Sequence, residues 1–197
     1  MGPEPAEQSQ RQQPKSAARL ESAVVVVVDV PALDEVYRDS YPVMVEQGIP
    51  LHVTLLYPFV PPSELDAALP VLRSVLAGHE RFDFSLTRLR TFPRVVWAAP
   101  EPAAPFVALT EAIYAAFPEY PPHAGEFADV IPHMTLAYPP EAELGSTLAR
   151  LRHRVDPLLP LAVSAAEATV VAEQEDGQWI VAARLPLGTA PTSESGT

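Results

Sequence analysis

Two kinds of apolar pattern alternate along the chain. Short stretches rich in β-branched and aromatic residues read as strands over 23–30, with its five consecutive valines, and over 51–59, 81–92, 94–99, 131–138, 161–173 and 178–186. Helical spacing appears between them. Leu65, Leu69, Leu72, Val75 and Leu76 follow Ser63 in an N-cap position. Phe106, Leu109, Ile113 and Phe117 repeat the spacing ahead of Pro118, and Leu144, Leu148, Leu151 and Val155 repeat it again. A weaker helical signal over 31–48 is interrupted by Pro42. Glu175-Asp176-Gly177 marks a hairpin turn between the last two strands. Residues 1–21, rich in Gln, Pro, Ser and charge with no apolar period, read as a disordered leader, and 188–197 as a disordered tail.

The pattern also repeats itself. Leu51-His52-Val53-Thr54-Leu55-Leu56-Tyr57-Pro58 matches Pro132-His133-Met134-Thr135-Leu136-Ala137-Tyr138-Pro139 at an offset of 81. Beyond a two-residue gap the offset becomes 79, aligning Leu65 with Leu144, Leu72 with Leu151, Arg73 with Arg152 and Phe84 with Val163. Each half thus runs strand, helix, His-strand, helix, strand, with one additional strand at the end. A register held this long indicates an internal duplication. The expected fold is α+β: a bilobed, pseudo-two-fold unit over 22–187, with lobes of about 22–93 and 94–187. Central antiparallel sheets line a cleft, and helices lie outside.

Composition narrows the chemistry. With 197 residues and a mean hydropathy of +0.08, the chain can bury a sizeable core. It has no cysteine, so thiolate nucleophiles and cysteine-built metal sites are excluded. The run 23–28 is shorter than the roughly 20 residues that a bilayer requires, and no cleavage signal follows it. No membrane partner and a cytoplasmic location are therefore expected, as a monomer. The net charge of −12 lies almost wholly in the body, where arginine is the only basic residue besides histidine. Such a surface repels duplex nucleic acid, whose binding depends on neutralising phosphates with cations. A small nucleotide or an RNA end remains acceptable.

Side chains at i and i+2 of a strand share a face. His52 with Thr54, and His133 with Thr135, therefore point one way, and Val53, Leu55, Met134 and Leu136 the other. A pseudo-two-fold then gathers two imidazoles and two hydroxyls around one volume. This set meets the demands of phosphodiester cleavage. A neutral histidine takes a proton from the nucleophile and a protonated one supplies the leaving oxygen. The hydroxyls of Thr54 and Thr135 donate to the non-bridging oxygens. No metal or cofactor is required.

The same residues resemble the two-histidine phosphoesterase superfamily, and within it the bacterial 2′-5′ RNA ligase-like group. Besides the two His-x-Thr strands, the likeness includes Tyr57-Pro58-Phe59 and Asp176-Gly177-Gln178-Trp179. The resemblance implies a bilobed α+β fold with central antiparallel sheets. It also implies hydrolysis of a 2′,3′-cyclic phosphate, or the reversible joining of RNA ends through a 2′-5′ bond. A nucleotide-binding module that has lost turnover is the alternative of another class, disfavoured by the intact His and Thr of both halves.

Other candidates are less specific. Arg90, within the basic stretch Arg88, Arg90 and Arg94, and Phe127, in the loop leading to the second motif, are possible substrate contacts. By strict alternation Tyr57 and Tyr138 lie opposite the histidines, in core or rim positions. His123, ten residues before His133, lacks a regularly spaced third ligand for zinc. His79 and His153 read as solvated.

Overall fold

The computed structural model describes residues 20–126 and 130–188. The expected leader up to residue 19, the tail beyond 188, and Phe127 lie outside the described residues. Eight strands form one antiparallel sheet: β1 (Ser22–Val27), β2 (His52–Leu56), β3 (Phe82–Phe92), β4 (Val95–Glu101), β5 (Met134–Ala137), β6 (Leu161–Ala165), β7 (Glu167–Glu173) and β8 (Trp179–Pro186). Five α-helices accompany them: α1 (Pro31–Ser40), α2 (Pro42–Glu46), α3 (Leu65–Ala77), α4 (Ala104–Ala116) and α5 (Leu144–Val155).

Two sequence expectations need correction. The stretch 161–173 is two strands, β6 and β7, broken at Ala166. Ser63 does not cap α3; it sits in a 3-10 turn, Pro62–Glu64, and the helix begins without a side-chain cap. Pro42 interrupts the helical stretch 31–48, as the sequence indicates. It divides it, occupying the first turn of α2, where a missing N–H costs nothing.

The strand order is β6-β3-β4-β5-β2-β1-β7-β8, which puts the two His-x-Thr strands side by side at the centre. Register confirms the duplication. Val53 pairs with Met134, its own equivalent at the offset of 81. Phe84 pairs with Val163, its equivalent at 79. Around each motif strand the pairing is the same: Val25 lies opposite Thr54 as Trp97 lies opposite Thr135, and Thr169 lies opposite Val25 as Arg90 lies opposite Trp97. Only Ala166 separates β6, at one edge of the sheet, from β7 near the other. The sheet must therefore curl into a half-barrel to bring those two strands together.

One face of the sheet is closed by helices and carries the main core. Val24, Val26, Val53, Leu55, Leu56, Met134, Leu136 and Ala137 pack there with Leu33 of α1, Leu72 and Leu76 of α3, Phe106, Leu109 and Ile113 of α4, and Leu151 of α5. Burying each large side chain contributes roughly 1.5–3 kcal/mol. Ala23, Val25 and Val171 form a separate small cluster with Tyr57 and Trp179 on the other face, where the histidines lie.

Gly48 ties the last hairpin to the loop before β2. Its φ of +81° suits glycine, and a Cβ there would lie 2.7 Å from the Trp179 carbonyl oxygen. The neighbouring Gln47 carbonyl accepts the Trp179 N–H at 2.7 Å.

Candidate active site

Each motif strand carries a β-bulge just after its threonine. Val25 pairs with Thr54 but Val24 pairs with Leu56, so Leu55 is extra; Trp97 pairs with Thr135 but Val96 pairs with Ala137, so Leu136 is extra. Both residues of each doublet, Leu55-Leu56 and Leu136-Ala137, consequently enter the core. The strict alternation expected for Tyr57 fails for this reason. The bulge turns it back to the histidine face, where it packs in the cluster of Val25 and Val171 and donates a hydrogen bond to Glu21. Tyr138 lies exposed at the rim, stacked on Tyr41 beneath Arg94.

A bulge strands a carbonyl, and each one here is satisfied from the opposite half of the chain. Thr110 of α4 donates to the Leu55 carbonyl at 2.8 Å, and Ser40 of α1 donates to the Leu136 carbonyl at 2.6 Å. The two helices exchange lobes to do so, α4 packing on β2 and α1 on β5. The threonines that precede the bulges are thereby held in register on the open face, where Thr54 and Thr135 are half-exposed.

The two histidines share one further device. His52 Nδ1 lies 2.7 Å from the Pro50 carbonyl oxygen, and His133 Nδ1 lies 2.7 Å from that of Ile131. A carbonyl only accepts, so Nδ1 carries the proton in both rings and Nε2 is left for chemistry. Burial pushes the His52 imidazole below its ordinary value; the Pro50 bond opposes this and the nearby His133 adds to it. Burial likewise lowers His133, with the Ile131 bond opposing and His123 adding. Both therefore rest neutral near pH 7, and an anionic phosphate between them would favour the protonated form of one.

The surroundings of His133 differ from those of His52. Phe92 and Trp97 stack at 4.7 Å, and their rings meet His133 edge-on at 5.2 and 5.8 Å. His123 stacks against the same imidazole at 6.4 Å. The turn that presents it is unusual, since His123 and Ala124 both have positive φ, a conformation costing of order 1–3 kcal/mol per residue. Its amide is anchored to the Tyr57 carbonyl at 2.7 Å. Arg90, a possible contact in the sequence, lies over Trp97 at 5.9 Å. Sequence reasoning passed over Trp97 and Phe92. The signal was the Arg-x-Phe-x4-Trp spacing across the β3–β4 hairpin, which acquires meaning only through strand register.

Two buried side-chain groups have no partner among the described residues, Trp97 Nε1 and Thr169 Oγ1. Leaving such a group unpaired costs about 1–3 kcal/mol. By register both share the face of the histidines.

A cavity of about 620 Å³ lies between the end of β1 and the β6–β7 bend, with Pro50 and Thr169 in its lining but neither histidine. The duplication explains it. In one half β3 stays paired with β4 as far as Ser85 and Glu101; the equivalent residues of the other half, Ser164 and Asp29, are not paired and line the cavity instead. No group of three His, Asp or Glu side chains suited to a metal ion occurs among the described residues. No helix among them is long and apolar enough to cross a membrane.

The curled sheet, the duplicated registers and the paired His-x-Thr strands define a two-histidine phosphoesterase fold. A family model for the 2′-5′ RNA ligase superfamily matches residues 29–177, and the chain belongs to that family. Among solved structures it is similar to TT0787 of Thermus thermophilus, with a TM-score of 0.58 and 20% identity over 86% of this chain and 100% of that one. It is also similar to E. coli LigT complexed with 3′-AMP, with a TM-score of 0.56 and 18% identity over 86% and 98%. No curated protein matches it in sequence.

Proposed function

We propose that this protein hydrolyses a 2′,3′-cyclic phosphate, or a closely related small cyclic or 2′-5′ phosphodiester, by two-histidine general acid–base catalysis. The observation that carries the reading is the matched pair of Nδ1 bonds to the Pro50 and Ile131 carbonyls. They leave two Nε2 atoms for the reaction, one accepting the proton of water and the other supplying the leaving oxygen. Thr54 and Thr135 hold the non-bridging oxygens, and Arg90 lies within the same face as a substrate contact. These side chains provide acid, base and oxyanion donors, so the reading includes full turnover in the presence of a chelator.

The choice of a small substrate over a long RNA follows from charge. A net charge of −12, with 25 acidic against 13 basic side chains, opposes the counterion release that polyanion binding requires. E. coli LigT, which shares the fold, has been seen with 3′-AMP and with ATP, ligands of the expected size. The test is turnover of nucleoside 2′,3′-cyclic phosphates with EDTA present. His52→Ala and His133→Ala are each expected to reduce kcat at least ~100-fold. Undiminished turnover in either variant removes the mechanism.

A further inference from the structure

Two strand edges face each other across the cavity at the end of β1. β6 stands last in the sheet, so only its β3 side is paired. β1 pairs with β7 no further than Val25 and Thr169, although it continues along β2 as far as Val27, opposite His52. The next amide, that of Val28, donates to the Leu51 carbonyl at 2.8 Å. Adjacent residues of an antiparallel strand turn their amides to opposite sides. The N–H and C=O of Val27 therefore point away from β2, toward the cavity that Val27 lines.

The other half of the chain has a continuous ladder in the equivalent place. There Ser85 pairs with Glu101 and Leu86 with Pro100, whereas Ser164 and Ala165 of β6 pair only with β3 and leave Asp29 and Val28 across the gap. The half-barrel thus has an open seam, closed at its narrow end by the Val25–Thr169 pair. From Val26 to Asp29 it is about 13 Å long, at ~3.3 Å per residue. Its volume of about 620 Å³ lies within the range of pockets that enclose whole ligands, roughly 300–1,000 Å³.

The lining has an apolar and a charged side. Val26, Val28, Ile49 and Leu51 are buried in its floor. Thr169, 0% exposed, lines the narrow end, and its Oγ1 has no partner among the described residues. At the mouth Asp29, Asp34 and Arg38 are exposed and enter no ion pair among the described residues, while Arg184 is paired with Glu167. Three carboxylates against two guanidinium groups leave the mouth one negative charge, in a chain that is itself strongly acidic.

We propose that this seam binds an extended peptide segment of a partner protein, added as a strand between β1 and β6 and carrying alternate apolar and basic side chains. Strand addition uses main-chain hydrogen bonds for affinity and the alternating side chains for specificity. Here the main chain of the segment pairs with Val27 and with the free edge of β6. Its apolar side chains lie on Val28 and Ile49, and its basic side chain reaches Asp29 and Asp34. The seam includes neither histidine, so the seat is independent of the reaction proposed for the cleft.

The isotope-labelled full chain is titrated by NMR with the blocked tripeptide acetyl-Val-Lys-Val-amide. Binding with a dissociation constant on the order of 1 mM or below is expected, with amide shifts concentrated at Val27, Ser164 and Ala166. The Val-Glu-Val counterpart should bind at least about threefold more weakly. A Val-Lys-Val peptide N-methylated at every amide cannot donate, and it should lose at least about tenfold. Ala166→Trp and Ser164→Trp, at exposed positions of the lining, fill the seam and should each abolish the shift at Val27 while the rest of the spectrum stays folded. Absence of binding, equal binding of the N-methylated peptide, preference for the Glu peptide, or undiminished binding in both Trp variants overturns strand addition at this seam.

Discussion

Thr110 holds the bulge of the first motif strand from a helix of the other half, so replacing its hydroxyl tests directly how that bulge is supported. Thr110→Val keeps the shape and replaces the hydroxyl by a methyl group. The Leu55 carbonyl then loses its donor at 2.8 Å in a place water does not reach, since Thr110 and Leu55 are 1% and 2% exposed. An unpaired buried acceptor costs roughly 1–3 kcal/mol. For a chain of this size each kcal/mol lowers Tm by about 2–4 °C, so a loss near 2 kcal/mol corresponds to about 4–8 °C. Ser40→Ala at the other bulge serves as the internal comparison. Ser40 is half-buried, and its one hydroxyl proton is shared between the Leu136 and Val36 carbonyls. It should cost less than Thr110→Val, and Thr110→Ser should restore most of the loss. Urea unfolding with a common m-value would measure all three. A cost below about 0.5 kcal/mol for Thr110→Val, or a larger cost for Ser40→Ala, would refute the account of the bulge.

Gly48→Ala places a Cβ 2.7 Å from the Trp179 carbonyl at a φ of +81°, and a loss of about 2 kcal/mol or more is expected in thermal melts. Burial lowers both His52 and His133 from the ordinary value of 6.5. Below pH 6.5 the unfolded chain therefore binds protons that the folded one resists, and stability falls as pH drops from 6.5 toward the depressed folded values. The urea midpoint should decline over that window, and His52→Gln should flatten the decline; an unchanged slope would show that the imidazole is not desolvated. His123→Asn should alter the pH profile of kcat/KM through His133, and an unaltered profile would show that the two rings do not interact.

The sequence carried the candidate constellation and the duplication openly. His52, Thr54, His133 and Thr135 were legible because strand alternation is local and a repeated frame made two weak motifs one strong constellation. The positions of most strands and of α3, α4 and α5 followed from apolar period alone. Tertiary structure decided what depends on pairing across long separations. A β-bulge leaves no local mark, since Leu55-Leu56 reads as an ordinary apolar doublet, yet it moves Tyr57 to the histidine face. The break at Ala166 is equally silent, because only the curl of the sheet sends β6 to β3 and β7 to β1. Trp97 joins the site for the same reason. It lies 36 residues from His133 in the chain, and only strand register brings its indole against that imidazole.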